Sequence, residues 1–369
     1  MKHQYGPVFA GLLLYVAISF LFSCTKEGPQ GPPGNDGTNG TDANSNCIQC
    51  HSWNDSLVAR IFQYNSSQHA AGNATWASPQ RECAPCHSSQ GFTECISTGQ
   101  FMTSSPVYDA APVNCRTCHK IHTTYSYLDW QLRTTVPFRA RYDSTVTINL
   151  SAIDASSNLC GRCHQATAPN PALTNPTSTF DTVLITSNAW GPHHATQALL
   201  LAGKGAYEIG AAPFSQIVSH KDNASCSTCH SAYGQGNRVG GHTWKMADYN
   251  QYPSLQNTLA CQQCHSGAVD FNINGKQTEI AGLFQQLKVQ LASADILDTI
   301  PFSSSYMLLK GDISVINPKT FPQKTMAVYW NFQLVYADRS NGVHNYPYTR
   351  DILQSGIDYF SSLGYSSGD

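Results

Sequence analysis

Apolar positions along the chain fall into three patterns. From Val8 to Phe22 they form one nearly unbroken run behind Lys2. That run is shorter than the ~20 residues a bilayer span needs and predicts the core of a signal peptide over residues 1–23. Near the other end they recur every three or four positions: Ile280, Leu283, Phe284, Leu287 and Leu291 predict an amphipathic helix over Thr278 to Ala294. Met326 to Asp338 and Tyr348 to Leu363 predict two more helices. Thr145 to Ala152 alternates apolar and polar residues and is the clearest strand. Elsewhere the chain is polar and aperiodic. The fold class expected is therefore mainly α with extensive coil and minor β.

Behind the apolar run, glycine falls on every third position at Gly28, Gly31, Gly34, Gly37 and Gly40. The repeat is collagen-like, but five triplets are too few for a stable triple helix. An extended tether over residues 24–45 is expected, with a homo-oligomer as the alternative use of the repeat. Residues 46–369 then form the folded domain, with its chemistry over 46–270 and a helical cover over 271–369.

Charged residues make up only 12% of the chain and the formal net charge is -2, so a nucleic-acid partner is not expected. The 14 cysteines point instead to metal or redox chemistry. Twelve of them form six Cys-x-x-Cys-His motifs: Cys47, Cys50 and His51; Cys83, Cys86 and His87; Cys115, Cys118 and His119; Cys160, Cys163 and His164; Cys226, Cys229 and His230; and Cys261, Cys264 and His265. About 0.02 such motifs would arise by chance at this composition. On a helical turn, positions i, i+3 and i+4 share a face, so two thiols can reach the vinyl groups of one porphyrin while the histidine ligates its iron. Six covalently bound c-type haems, with iron, are expected. Zinc sites or short disulfides would not require a histidine after every second cysteine. Cys95 is left over as a buried thiol, and Cys24 is the first residue after the predicted signal peptide.

Of 14 histidines, His3 lies in the leader and six close motifs, which leaves His69, His122, His193, His194, His220, His242 and His344 as distal candidates for six irons. His122 follows His119 by three residues and is the most direct of them. His193 and His194 are adjacent, so one of the two is the natural surplus. Met102, Met246, Met307 and Met326 sit in no recognisable ligand loop. Histidine on both faces would saturate every iron and keep potentials below those of His/Met haems. About 50 residues per haem also predicts that stacked porphyrins form most of the core.

The six motifs, Cys115 to His122, Gly191 to Gln197 and the ending Asn331 to Leu353 resemble the multihaem c-type cytochromes, which include cytochrome c nitrite reductases and extracellular electron-transfer cytochromes. The resemblance implies closely stacked haems with histidine distal ligands. Those reductases carry a Cys-x-x-Cys-Lys motif at the catalytic haem, and none occurs here. Leu21 to Cys24 resembles the lipobox of bacterial lipoproteins, in which the cysteine is lipidated. These features predict an exported protein, lipid-anchored to the outer membrane of a Gram-negative bacterium on its periplasmic or cell-surface side. Electron transfer among bis-histidine haems, between a respiratory donor and a redox partner or external acceptor, is expected rather than catalysis. The alternatives are a reductase of a nitrogen species or other small oxyanion with one open haem, and a cytochrome filament subunit.

Overall fold

The computed structural model describes residues 55–72, 74–193, 195–210, 212–303 and 306–366. The leader, Cys24, the glycine repeat, the first motif (Cys47, Cys50, His51) and His194 lie outside the described residues. The elements run α1 (Asp55–Asn65), α2 (Gln68–Ala71), α3 (Ala84–His87), α4 (Ser89–Thr98), α5 (Cys115–Cys118), β1 (Phe138–Arg139), β2 (Thr147–Ile148), α6 (Ser156–Gly161), β3 (Thr182–Ile185), α7 (Gln197–Ala202), α8 (Ser219–Asn223), α9 (Cys226–His230), β4 (Ala247–Asp248), β5 (Leu255–Gln256), α10 (Leu259–Gln262), α11 (Lys276–Ser293), β6 (Leu297–Ser303), β7 (Tyr306–Leu309), β8 (Lys319–Pro322), α12 (Gln323–Asp338) and α13 (Tyr346–Ser362). The strands pair antiparallel in four two-stranded sheets: β1 with β2, β3 with β8, β4 with β5, and β6 with β7. Among the described residues no helix is long and apolar enough to cross a membrane.

Most helices before α11 are one or two turns long. Nucleating so short a helix is unfavourable, and at some of these turns a side-chain cap helps to hold the start in place. At α5, the Asn114 side chain accepts from Arg116 N–H at 2.9 Å while Thr117 Oγ1 accepts from Asn114 N–H at 2.9 Å. At α9, Ser225 and Thr228 exchange the same pair of bonds, at 3.1 and 3.0 Å. Such reciprocal bonds satisfy amides that a helix start leaves without partners. The predicted strand shrinks to β2. Its alternation survives, since Ile148 and Leu150 are both buried. The ladder stops because Leu150 N–H donates to Asn158 Oδ1 at 2.8 Å instead of to a strand.

All three predicted C-terminal helices form, as α11, α12 and α13. Their apolar faces pack on one another and on β6–β8. Ile280, Leu287 and Leu291 of α11 meet Val328 and Phe332 of α12 and Ile352, Ile357 and Phe360 of α13 in one buried cluster. This half thus has an apolar protein core of its own. The reason is α12, which is buried along almost its whole length and supplies apolar surface on every side. Its polar residues are matched: Asn331 accepts from Tyr207 N–H and donates to Tyr207 O, each at 2.8 Å. Over 55–137 the balance differs. Among the described residues there, the buried apolar side chains are Ala77, Ala84, Pro85, Phe92 and Cys95, whereas Phe62, Trp76, Tyr108 and Trp130 are exposed.

Gly356 is where α13 crosses closest to its neighbours. A Cβ there would lie 2.9 Å from both Leu287 Cδ2 and Val328 Cγ1. Gly356→Val should lower stability by about 1–3 kcal/mol through overpacking, read as a lower denaturation midpoint.

Candidate metal centres

Each described motif is a single tight turn. His87, His119, His164 and His265 donate their N–H groups to the carbonyls of Cys83, Cys115, Cys160 and Cys261 at 2.8–3.1 Å. The fifth motif is α9 itself. These bonds bring both thiols and the imidazole of a motif onto one turn, as covalent attachment of a porphyrin requires. All eleven described cysteines are free thiols, Cys95 buried among them. No group of three or more His, Cys, Asp or Glu is gathered for a bare metal ion among the described residues.

The histidines meet in pairs, and every pair joins one motif histidine to one of the seven others. Ring centroids are 6.0 Å apart for His87 and His193, 6.4 Å for His119 and His242, and 6.2 Å for His164 and His69. They are 6.3 Å apart for His230 and His344 and 6.2 Å for His265 and His220. The separation is nearly constant, while the interplanar angle runs from 25° to 87°. Ring stacking would fix the angle; a shared axis fixes only the distance. A metal–imidazole bond of about 2 Å, with the nitrogen about 1 Å from its ring centroid, gives about 6 Å across one iron. The paired rings therefore fit haem iron between them.

Protonation supports the same fit, because a ligating imidazole must be neutral. Burial pushes His69 and His230 down to about 4 and also lowers His164, His220 and His242. Ring orientation is set through Nδ1, as expected when Nε2 faces a metal. Nδ1–H donates to Trp130 O in His119 at 2.6 Å, to Gln197 Oε1 in His164 at 3.0 Å and to Trp244 O in His230 at 2.9 Å. His220 donates to Val343 O, and His344 to Asp338 Oδ1 at 2.6 Å. In His344, burial alone would lower the pKa, but the Asp338 carboxylate carries it above its ordinary value.

His122 has a different setting. Its backbone adopts a left-handed conformation, and the Asp129 carboxylate accepts from the N–H groups of His122, Thr124 and Tyr125, curling the loop. Its ring stacks on Tyr125 at 5.7 Å, and Nδ1 lies 3.2 Å from the Arg116 guanidinium, which can only donate. Nδ1 of His122 thus accepts, the reverse of its role in the histidines above.

The motif turns abut. Cys86 Sγ lies 3.9 Å from Arg162 O and Cys163 Sγ 3.8 Å from Pro85 O, which joins the second motif to the fourth. Cys226 N–H donates to Ser157 Oγ at 2.9 Å, and Ser156 and Ser227 bond at 3.1 Å, which joins the fourth to the fifth. Trp244, unremarked in the sequence, lies 4.9 Å from the His69 ring and 5.2 Å from the His242 ring, with its carbonyl on His230. It thereby touches three histidine pairs. Gln197 and Asp338 were equally invisible, because nothing in their spacing marks a second-layer partner.

Neither a protein-family model nor a curated protein matches the chain. It is similar to two solved structures. One is the outer cell wall cytochrome OcwA, with a TM-score of 0.48 and 18% identity over 82% of this chain and 50% of that one. The other is an undecahaem cytochrome from the S-layer of Carboxydothermus ferrireducens, with a TM-score of 0.43 and 17% identity over 80% of this chain and 40% of that one. The chain thus spans half or less of the length of the structures it matches.

Gln197 also ties this region to the end of α12, since its Nε2 donates to Ala337 O at 3.1 Å and to Asp338 O at 3.3 Å. Gln197→Ala leaves buried His164 Nδ1 without its acceptor and should cost about 1–3 kcal/mol, measured by chemical denaturation.

Proposed function

We propose that the chain is an exported multihaem c-type cytochrome that carries six covalently attached haems and transfers electrons. The observation that carries this reading is the set of five motif-to-distal histidine pairs at one near-constant separation. His193, His242, His69, His344 and His220 would hold the distal faces of the haems attached at the second to sixth motifs, in that order. His122 and His194 remain for the iron of His51. When bound, haem supplies an iron that cycles between ferric and ferrous states.

The protein's part is to fix both axial positions and exclude other ligands. Paired imidazoles, five of them held through Nδ1, would occupy both faces of each iron and leave small substrates no open position. The abutting turns of the second, fourth and fifth motifs would bring their attached cofactors near one another, which suits transfer between them. The exposed aromatic surface over 55–137 offers apolar cover to porphyrin in place of a protein core. Cys24 would be lipidated and residues 24–45 would act as a tether, holding the haems at a membrane surface for exchange with redox protein partners. The donor is read as a respiratory one and the acceptor as a partner or external oxidant.

Haem and iron analysis of the purified protein should give six of each per chain, and the electron paramagnetic resonance spectrum of the oxidised form should contain only low-spin ferric signals. His69→Ala should convert one of the six to high spin. A stoichiometric high-spin signal in the unmodified protein that responds to nitrite or hydroxylamine would overturn transfer in favour of catalysis.

A further inference from the structure

We propose that Asp338 is a positioning residue that lowers the potential of the haem held by His230 and His344, making it the lowest of the four in whose histidine pairs an Nδ1 acceptor is described. The inference rests on the haem-binding reading above and concerns a residue that touches no cofactor directly. Four histidines direct Nδ1–H at neutral acceptors: Trp130 O, Gln197 Oε1, Trp244 O and Val343 O. His344 directs its own at a carboxylate, 2.6 Å away. The Asp338 side chain is only 2% exposed. Its second oxygen takes the Ser340 hydroxyl, and among the described residues no lysine or arginine forms an ion pair with it.

Two effects then act in one direction. A carboxylate pulling on Nδ1–H gives the ring imidazolate character and makes Nε2 a stronger donor, which favours the ferric ion. A buried negative charge near the iron also stabilises its more highly charged state, and burial weakens the screening that water would supply. Both hold the iron oxidised. The fifth motif abuts the fourth through Cys226 and Ser157. On its other side, His220 of the sixth pair is anchored on Val343, next to His344. The low-potential position therefore adjoins both the fourth and the sixth sites, and an electron passing between them through it would climb over it.

The test is a spectroelectrochemical titration of the mature holoprotein, with electron paramagnetic resonance to follow individual low-spin haems. Asp338→Asn keeps the shape and an acceptor oxygen but removes the charge. One haem should show at least a tenfold higher ferrous-to-ferric ratio at fixed solution potential, about 59 mV for a one-electron couple, and its low-spin signal should shift. Ser340→Ala removes a donor from the second oxygen and leaves more charge on the ring, so the same haem should move the opposite way by a smaller factor. Six haems with every potential unchanged in Asp338→Asn would overturn the inference and leave the haem reading intact. If Asp338→Asn does not mature, an unchanged titration of Ser340→Ala overturns it equally. An unmodified protein without haem would defeat the underlying reading instead.

Discussion

Two imidazoles from separate stretches of chain must arrive on one line at a fixed separation, and much of the architecture follows from that requirement. The motif histidine is easy to place, because its own turn carries it. The distal histidine has to be delivered by tertiary structure, with its ring turned so that Nε2 faces inward. Each delivery uses a different device. α2 supplies His69, α8 supplies His220, and the junction between α12 and α13 supplies His344. Carbonyls and side chains on Nδ1 then set the ring, which explains why short loops here are so heavily hydrogen-bonded.

The same requirement divides the molecule. α11, α12 and α13 build an ordinary apolar core, and α12 at its centre ends at the residues that orient His164 and His344. Ala337 O and Asp338 O take the Gln197 amide, and the Asp338 carboxylate takes the His344 ring. The N-terminal stretch has few buried apolar side chains of its own. A rigid helical half thus serves as the reference frame for a half whose turns depend on caps and cofactor.

What could be read from the sequence reflects how local each feature is. The Cys-x-x-Cys-His turns need only helical periodicity, and the three C-terminal helices only their apolar spacing. The seven distal candidates could be named by counting histidines, yet their partners could not, because pairing depends on the path of the whole chain. His122 shows the limit: its place three residues past His119 does not reveal that Asp129 curls its loop and that Nδ1 lies against Arg116. Asp338 and Trp244 carry no motif and acquire meaning only through what they touch. Chain length per cofactor is an average and does not reveal that α12 concentrates apolar surface in one place.

The placement of His344 has a consequence for how the protein is made. The chain leaves the ribosome from its N-terminus, and the fifth motif emerges more than a hundred residues before the histidine that faces it. Gln63 and His242, joined at 3.0 Å, are likewise 179 positions apart. The chain is knitted rather than strung, its early stitches closed by late thread. Until α12 and α13 have formed, the fifth site stands half built, because the segment that completes it is made well after the motif it faces.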